Sequence, residues 1–260
     1  MININLIREH LDLVTHSYES RKADLLLLDE VKALDIKWRK TQQQVDETRH
    51  QLKQMTPKGK PSNSEMAQLK ALSKETKELE SKLKEIKDTL DSKLLHLPNI
   101  LEESVPTGDN ETSNQLIRTV GKPKSYEYKI KSHDELAENL NLVDFERATK
   151  VSGSRFNIYT GMGAKLERAL IQLMLDTHSN EHGYRELLPP ALVNSASLTG
   201  TGQLPKFSTD SYNLAESDLW LSPTAEVQLT NYYRDEIIEE HDLPIKLTAY
   251  APCFRKESGS

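Results

Sequence analysis

The chain has 260 residues and a net charge of −6, with 36% hydrophobic and 28% charged residues, room for one large domain or two ordinary ones with a modest core. It contains no run of about 18 apolar residues that would span a membrane. Its single cysteine, Cys253, excludes an internal disulfide and a cysteine-built zinc site.

The amino terminus, MININLIREHLDLV, lacks the basic and then apolar order of a secretory signal and the Arg/Ser-rich, acid-poor composition of a transit peptide. The expected compartment is the cytoplasm. Charge is unevenly distributed. Residues 27–97 hold 15 Lys and Arg against 12 Asp and Glu, a net of +3, which leaves −9 on the remainder. In that basic stretch Leu27, Val31, Leu34, Trp38, Thr41, Val45, Thr48, Leu52 and Met55 recur in alternating steps of four and three, the heptad pattern. Pro57, Gly59 and Pro61 then break the helix. A second heptad series runs through Leu69, Leu72, Thr76, Leu79, Leu83, Ile86 and Leu90 and stops near Pro98. Two such helices joined by a short turn predict an antiparallel coiled-coil arm, roughly 40 Å long at about 1.5 Å per residue. By pattern alone it is a spacer or dimerisation arm. Lys70, Lys74, Lys77, Lys82, Lys84, Lys87 and Lys93 also suit a phosphate backbone.

The Pro/Gly/Asn-rich stretch from Leu97 to Tyr128 predicts a linker, with the domain boundary near 98–120. Beyond it, SHDELAENLN predicts a helix with Ser132 as N-cap and Glu135 in a capping box. GAKLERALIQLMLDTHSNEH predicts a long buried helix ended by Gly183. YRELLPP and DLWLS predict short strands, TAEVQLTNYYRDEIIEEH a helix, and IKLTAYAPCFRKE a final strand. Helices and strands interleave with irregular connections, so the class is α+β.

The final strand would place Ile245, Leu247, Ala249, Ala251, Cys253, Arg255 and Glu257 on one face. Arg255 and Glu257 there read either as a strand end in solvent or as a grip for an anion, since guanidinium has a fixed fork of donors. Glu226, in the first turn of a helix, either complements the dipole or, beside Thr224, holds an ammonium group. LTGTGQLPKF is neither a Walker loop nor a dinucleotide fingerprint, and reads as a flexible loop offering Gln203 and Lys206. His178 and His182 have the i, i+4 spacing of a zinc pair, but the intervening glutamate does not fit the metalloprotease motif and no third ligand is evident. No metal site is expected.

In this order and spacing, LVDFERATKVSGSRF, ERALIQLMLDTHSNEHGYRELLPPALVN, TGTGQLPKF, LWLSPTAEVQLTN and CFRKESGS resemble the seryl-tRNA synthetases, which are class II aminoacyl-tRNA synthetases. The two-helix arm fits the same pattern, and the resemblance covers essentially the whole chain. It implies a tRNA-binding domain over 1–105, with its arm at about 27–97. Residues 106–260 would be the first part of a class II antiparallel-sheet catalytic domain. It implies activation of L-serine by ATP with Mg²⁺, no tightly bound cofactor, and transfer of the seryl group to tRNA(Ser), and to tRNA(Sec) where present. Thr224, Ala225 and Glu226 would hold serine. Arg255, the catalytic residue, would grip the α-phosphate and the serine carboxylate, and Arg255, Lys256 and Glu257 would bind ATP. HGYRELLPP resembles motif 1, which implies a homodimer. The chain would stop inside motif 2, before its returning strand and motif 3, so that these 260 residues alone would be inactive. A truncated, non-catalytic tRNA-binding or coiled-coil interaction protein is the alternative reading.

Overall fold

The structure, a computed structural model, describes residues 2–55 and 62–256 and divides into two compact units, Met1–Thr119 and Val120–Ser260. In the first unit two short helices, α1 (Ile4–Glu9) and α2 (Leu11–Ser20), precede two long ones, α3 (Leu25–Met55) and α4 (Asn63–Leu94). Salt bridges pair Glu30 with Lys93 and Arg49 with Glu80, so α3 and α4 run antiparallel as the heptads predict. The predicted turn at Pro57, Gly59 and Pro61 lies outside the described residues. Ser62 and Glu65 form a capping box that starts α4.

The seam follows the predicted register. Val31, Thr41, Val45, Thr48, Thr76, Ile86 and Leu90 are buried, and Leu27, Leu34, Trp38, Leu52, Leu69, Leu72, Leu79 and Leu83 half-buried. Buried threonines are tolerated because each hydroxyl bonds back to its own helix: Thr41 to Lys37 O at 2.9 Å, Thr48 to Val45 O at 3.0 Å and Thr76 to Leu72 O at 2.8 Å. The base of the arm is the true core. Ile7, Val14 and Tyr18 from α1 and α2 pack against Leu28, Val31, Leu90, Leu94 and Leu97. At about 1.5–3 kcal/mol for each fully buried aliphatic side chain, this cluster is the main source of hydrophobic stabilisation in the unit. The Tyr18 hydroxyl donates to Pro98 O at 2.6 Å, and Leu101 N donates to Ser17 Oγ at 2.7 Å. These bonds fasten the chain leaving α4 to α2.

The second unit opens with α5 (His133–Asn139), whose Ser132–Glu135 capping box forms as predicted, and α6 (Phe145–Ser152). Then come α7 (Met162–Asn180), β1 (Arg185–Leu187), β2 (Leu192–Asn194), α8 (Ser195–Gly200), β3 (Leu219–Leu221), α9 (Ala225–Asn231) and β4 (Leu247–Ala249). Helix α7 starts where Gly163 meets Leu142; a Cβ at Gly163 would lie 2.2 Å from Leu142 O, so only glycine fits. The small core joins Val193, Leu198 and Val227, with Leu204 and Trp220 packed on it.

Among the described residues, strand β2 pairs antiparallel with β3 and β1 pairs parallel with β4. Three expectations need correction. The long helix predicted to be buried is helical but largely exposed: Leu166, Leu170, Leu173 and Met174 are 46–62% exposed. Periodicity shows that a face is apolar, not what covers it. The helix expected from Thr224 to His241 ends at Asn231, whose Nδ2 donates to Ser197 O at 3.0 Å and to Val227 O at 2.8 Å. Asp235 then takes a left-handed conformation (φ 64°), which a continuing right-handed helix does not admit. The final strand is regular only over 247–249. Pro252 has no N–H to continue a ladder.

Candidate active site

Residues 254–256 bridge two neighbouring segments. Phe254 N donates to Ser222 O at 2.9 Å, and Lys256 N donates to Asp210 O at 2.8 Å. Arg255 Nε donates to Pro223 O at 3.2 Å. Among the described residues no acceptor takes its two terminal nitrogens, so the end of the guanidinium fork is available to an anion.

Thr224 is the N-cap of α9; its Oγ1 accepts from Glu226 N at 3.3 Å. A cleft of about 320 Å³ lies between these segments, lined by Gln203, Phe207, Asp210, Ser211, Pro223, Thr224, Arg255 and Lys256. Lys256 Nζ stands 5.4 Å from the Tyr212 ring centroid. Arg255, Lys256 and Asp210 give the cleft a surplus of positive charge, suited to a phosphate or carboxylate.

The structure thus gathers Thr224, Arg255 and Lys256 around one cleft. Ala225 and Glu226 are not among its lining residues. Glu226 is exposed on the first turn of α9, and no described residue forms an ion pair or hydrogen bond with its carboxylate. Glu257 lies outside the described residues. Sequence reasoning missed Asp210 and Ser211; they stand in an irregular stretch, and the hydrogen bond from Lys256 N to Asp210 O joins that stretch to the end of the chain described. His178 and His182 place their Nδ1 atoms 3.1 Å apart, and the described residues hold no cluster of three or more His, Cys, Asp or Glu positioned for a metal ion. No described helix is long and apolar enough to cross a membrane.

A helical arm precedes in sequence an α+β unit with a positively charged cleft, and comparison with known proteins points to the class II aminoacyl-tRNA synthetases. Residues 1–101 match the family description "Seryl-tRNA synthetase N-terminal domain", and residues 207–260 match "tRNA synthetase class II core domain (G, H, P, S and T)". The chain is similar to the seryl-tRNA synthetases over its whole length. It is 43% identical to a serine–tRNA ligase of Clostridium tetani and 42% identical to one of Desulforapulum autotrophicum. Both matches cover 100% of this chain, and it spans 63% and 62% of those relatives. Among solved structures, the seryl-tRNA synthetase of Pyrococcus horikoshii complexed with ATP matches with a TM-score of 0.88 at 33% identity, covering 100% of this chain and 64% of that one. The cytoplasmic serine–tRNA ligase of Naegleria fowleri in complex with AMP matches at 0.80 and 26% identity, covering 99% and 61%.

Proposed function

We propose that the protein carrying this sequence is a serine–tRNA ligase. It activates L-serine with ATP to seryl-adenylate, then transfers the seryl group to tRNA(Ser), and to tRNA(Sec) where present. The observation that carries the reading is the cleft itself, where the open guanidinium fork of Arg255 faces the Thr224 segment. Arg255 binds the α-phosphate and the serine carboxylate, and stabilises the charge that develops at phosphorus. Thr224, Ala225 and Glu226 hold the serine, with the Glu226 carboxylate, which no described residue engages, taking the ammonium group. Lys256 and Glu257 contribute to ATP binding.

The ATP-bound Pyrococcus relative supports ATP as the nucleotide. Mg²⁺ enters on the ATP phosphates; Asp210 is the one carboxylate lining the described cleft. Residues 1–105 serve as the tRNA-binding domain and 106–260 belong to the catalytic domain. The exposed apolar face of α7, next to the YRELLPP segment, supports a homodimer formed there, and the protein acts in the cytoplasm.

The test is serine-dependent ATP–pyrophosphate exchange by the full-length gene product that carries this sequence. Arg255→Ala should lower its rate by about 10²–10³-fold, the usual loss for one preorganised charge-stabilising donor. Exchange driven by another amino acid, or an unaffected Arg255→Ala variant, would refute the assignment.

A further inference from the structure

Ser222 has no exposed surface, and all of its polar groups are engaged. Its N–H donates to Ala191 O at 2.8 Å, and its carbonyl accepts from Phe254 N at 2.9 Å. Its hydroxyl lies 2.9 Å from Thr224 O and 3.0 Å from Gln228 Oε1. Gln228 in turn donates through Nε2 to Pro190 O at 2.8 Å, which fixes its amide with Oε1 turned toward Ser222. The hydroxyl has one proton and two acceptors, so it is shared between Thr224 and Gln228.

Both sides of the cleft therefore hang on one residue. Thr224 is tied to Ser222 through the hydroxyl. Arg255 follows Phe254, which is tied to Ser222 through the main chain, and Arg255 Nε reaches Pro223, the residue after Ser222. We propose that Ser222, locked by Gln228, is a positioning residue that sets the spacing of Thr224 and Arg255 and so governs how tightly serine is held; this rests on the serine-activating reading above. Neither Ser222 nor Gln228 lines the cleft. Loss of the hydroxyl leaves the bonds to Ala191 and Phe254 intact, so the Arg255 side keeps its place. The Thr224 carbonyl and the first turn of α9 lose a tether. The effect falls on serine and spares ATP.

The test is pyrophosphate exchange by Ser222→Ala, Gln228→Ala and the double variant of the full-length gene product, with hydrogen exchange on the same proteins. Loss of one buried hydrogen bond corresponds to about a tenfold rise in the KM for serine, with the KM for ATP changed by less than about twofold. The double variant should be no worse than Ser222→Ala alone, because the two side chains act as one unit. The Glu226 and Val227 amides should exchange faster in Ser222→Ala, with 247–249 unchanged. An equal rise in both KM values, an unchanged serine KM or additive single effects would overturn the proposal. Should Ser222→Ala not fold, the half-buried Gln228→Ala carries the same expectations. If the unmutated protein shows no serine-dependent exchange, the serine-activating reading fails by itself. Hydrogen exchange then decides the positioning role: faster exchange at Glu226 and Val227 upholds it, and unchanged exchange ends it.

Discussion

Arg8 on α1 and Asp35 on α3 form a two-pronged ion pair, with Nη2 to Oδ1 at 2.5 Å and Nε to Oδ2 at 3.0 Å. Asp35 is 3% exposed, and Arg39 Nε also donates to it at 3.0 Å. Burial alone would push the Asp35 carboxyl upward. The bond and charge of Arg8, helped by Arg39, outweigh it and hold the carboxyl below the usual carboxylate range. The pair clasps α1 to the arm at the margin of its core.

Asp35→Asn should therefore destabilise the arm by about 2–3 kcal/mol, less than a fully buried pair because the Arg8 head remains partly in water. A depressed carboxyl stabilises the fold above its unfolded pKa, about 4, and the contribution is lost as pH falls through the folded value. Helical circular dichroism followed on heating should show an acid-dependent loss of stability in the parent that is smaller in Asp35→Asn. Identical acid profiles would dissociate Asp35 from arm stability.

Tyr18 predicts the alkaline side. Burial raises its pKa to about 12. A raised pKa stabilises the fold below the unfolded value, about 10, and that stability disappears as pH climbs toward 12, a span worth about 2–3 kcal/mol. One of the nine tyrosines should ionise near 12 by tyrosinate absorbance. Tyr18→Phe should remove that component and cost about 1 kcal/mol at neutral pH, the value of the bond to Pro98.

Shortening the arm by removing residues 42–79 and closing it with a short turn keeps Val31, Asp35 and Leu90. Pyrophosphate exchange should persist, and charging of tRNA should fall steeply, because the spaced lysines of α4 such as Lys70, Lys74 and Lys77 are lost. Unchanged charging would make the arm a spacer.

Glu226→Gln removes a charge-assisted bond worth about 1.5–3 kcal/mol. Serine use should weaken by roughly tenfold to a hundredfold, with a smaller change for ATP. Equal losses for both substrates, or none, would return Glu226 to a helix-dipole role.

Leu170 and Leu173 test assembly. If the exposed stripe of α7 closes a two-fold interface, Leu173→Glu should shift the full-length gene product from dimer to monomer in sedimentation at micromolar concentration. A parent protein that sediments as a monomer would remove the basis for that interface.

The sequence read most clearly where the physics is local and repetitive. The arm's heptads identified the seam residue by residue, since one period fixes which side chains meet. A similar spacing, in steps of four, three and four, recurs at Ile7, Leu11, Val14 and Tyr18, across two short helices that His10 separates. Those residues are the base of the core. Capping chemistry located Ser132 for the same local reason. The exposure of Leu170 and Leu173, the early end of α9 and the meeting of Asp210 with Lys256 were not legible, because each depends on contacts between segments distant in sequence. Of the site, residue types and order were visible in SPTAE and FRKE; the cleft between them, and Ser222 beneath it, required the fold.

The seam of the arm changes composition along its length. Near the base the buried positions include Leu28, Val31, Leu90 and Leu94; farther out they include Thr41, Val45, Thr48 and Thr76, with Leu52, Leu69, Leu72 and Leu79 only half-buried beside them. Shorter, partly polar knobs bury less apolar surface per turn, so the two rods grip each other more weakly with distance from the root. Mechanically this is a tapered cantilever, stiffest where Arg8 and Tyr18 clamp it and more compliant outward. A load applied to the outer half would bend the arm there and leave the root undisturbed, so the element can follow the contour of whatever it touches without straining its own foundation.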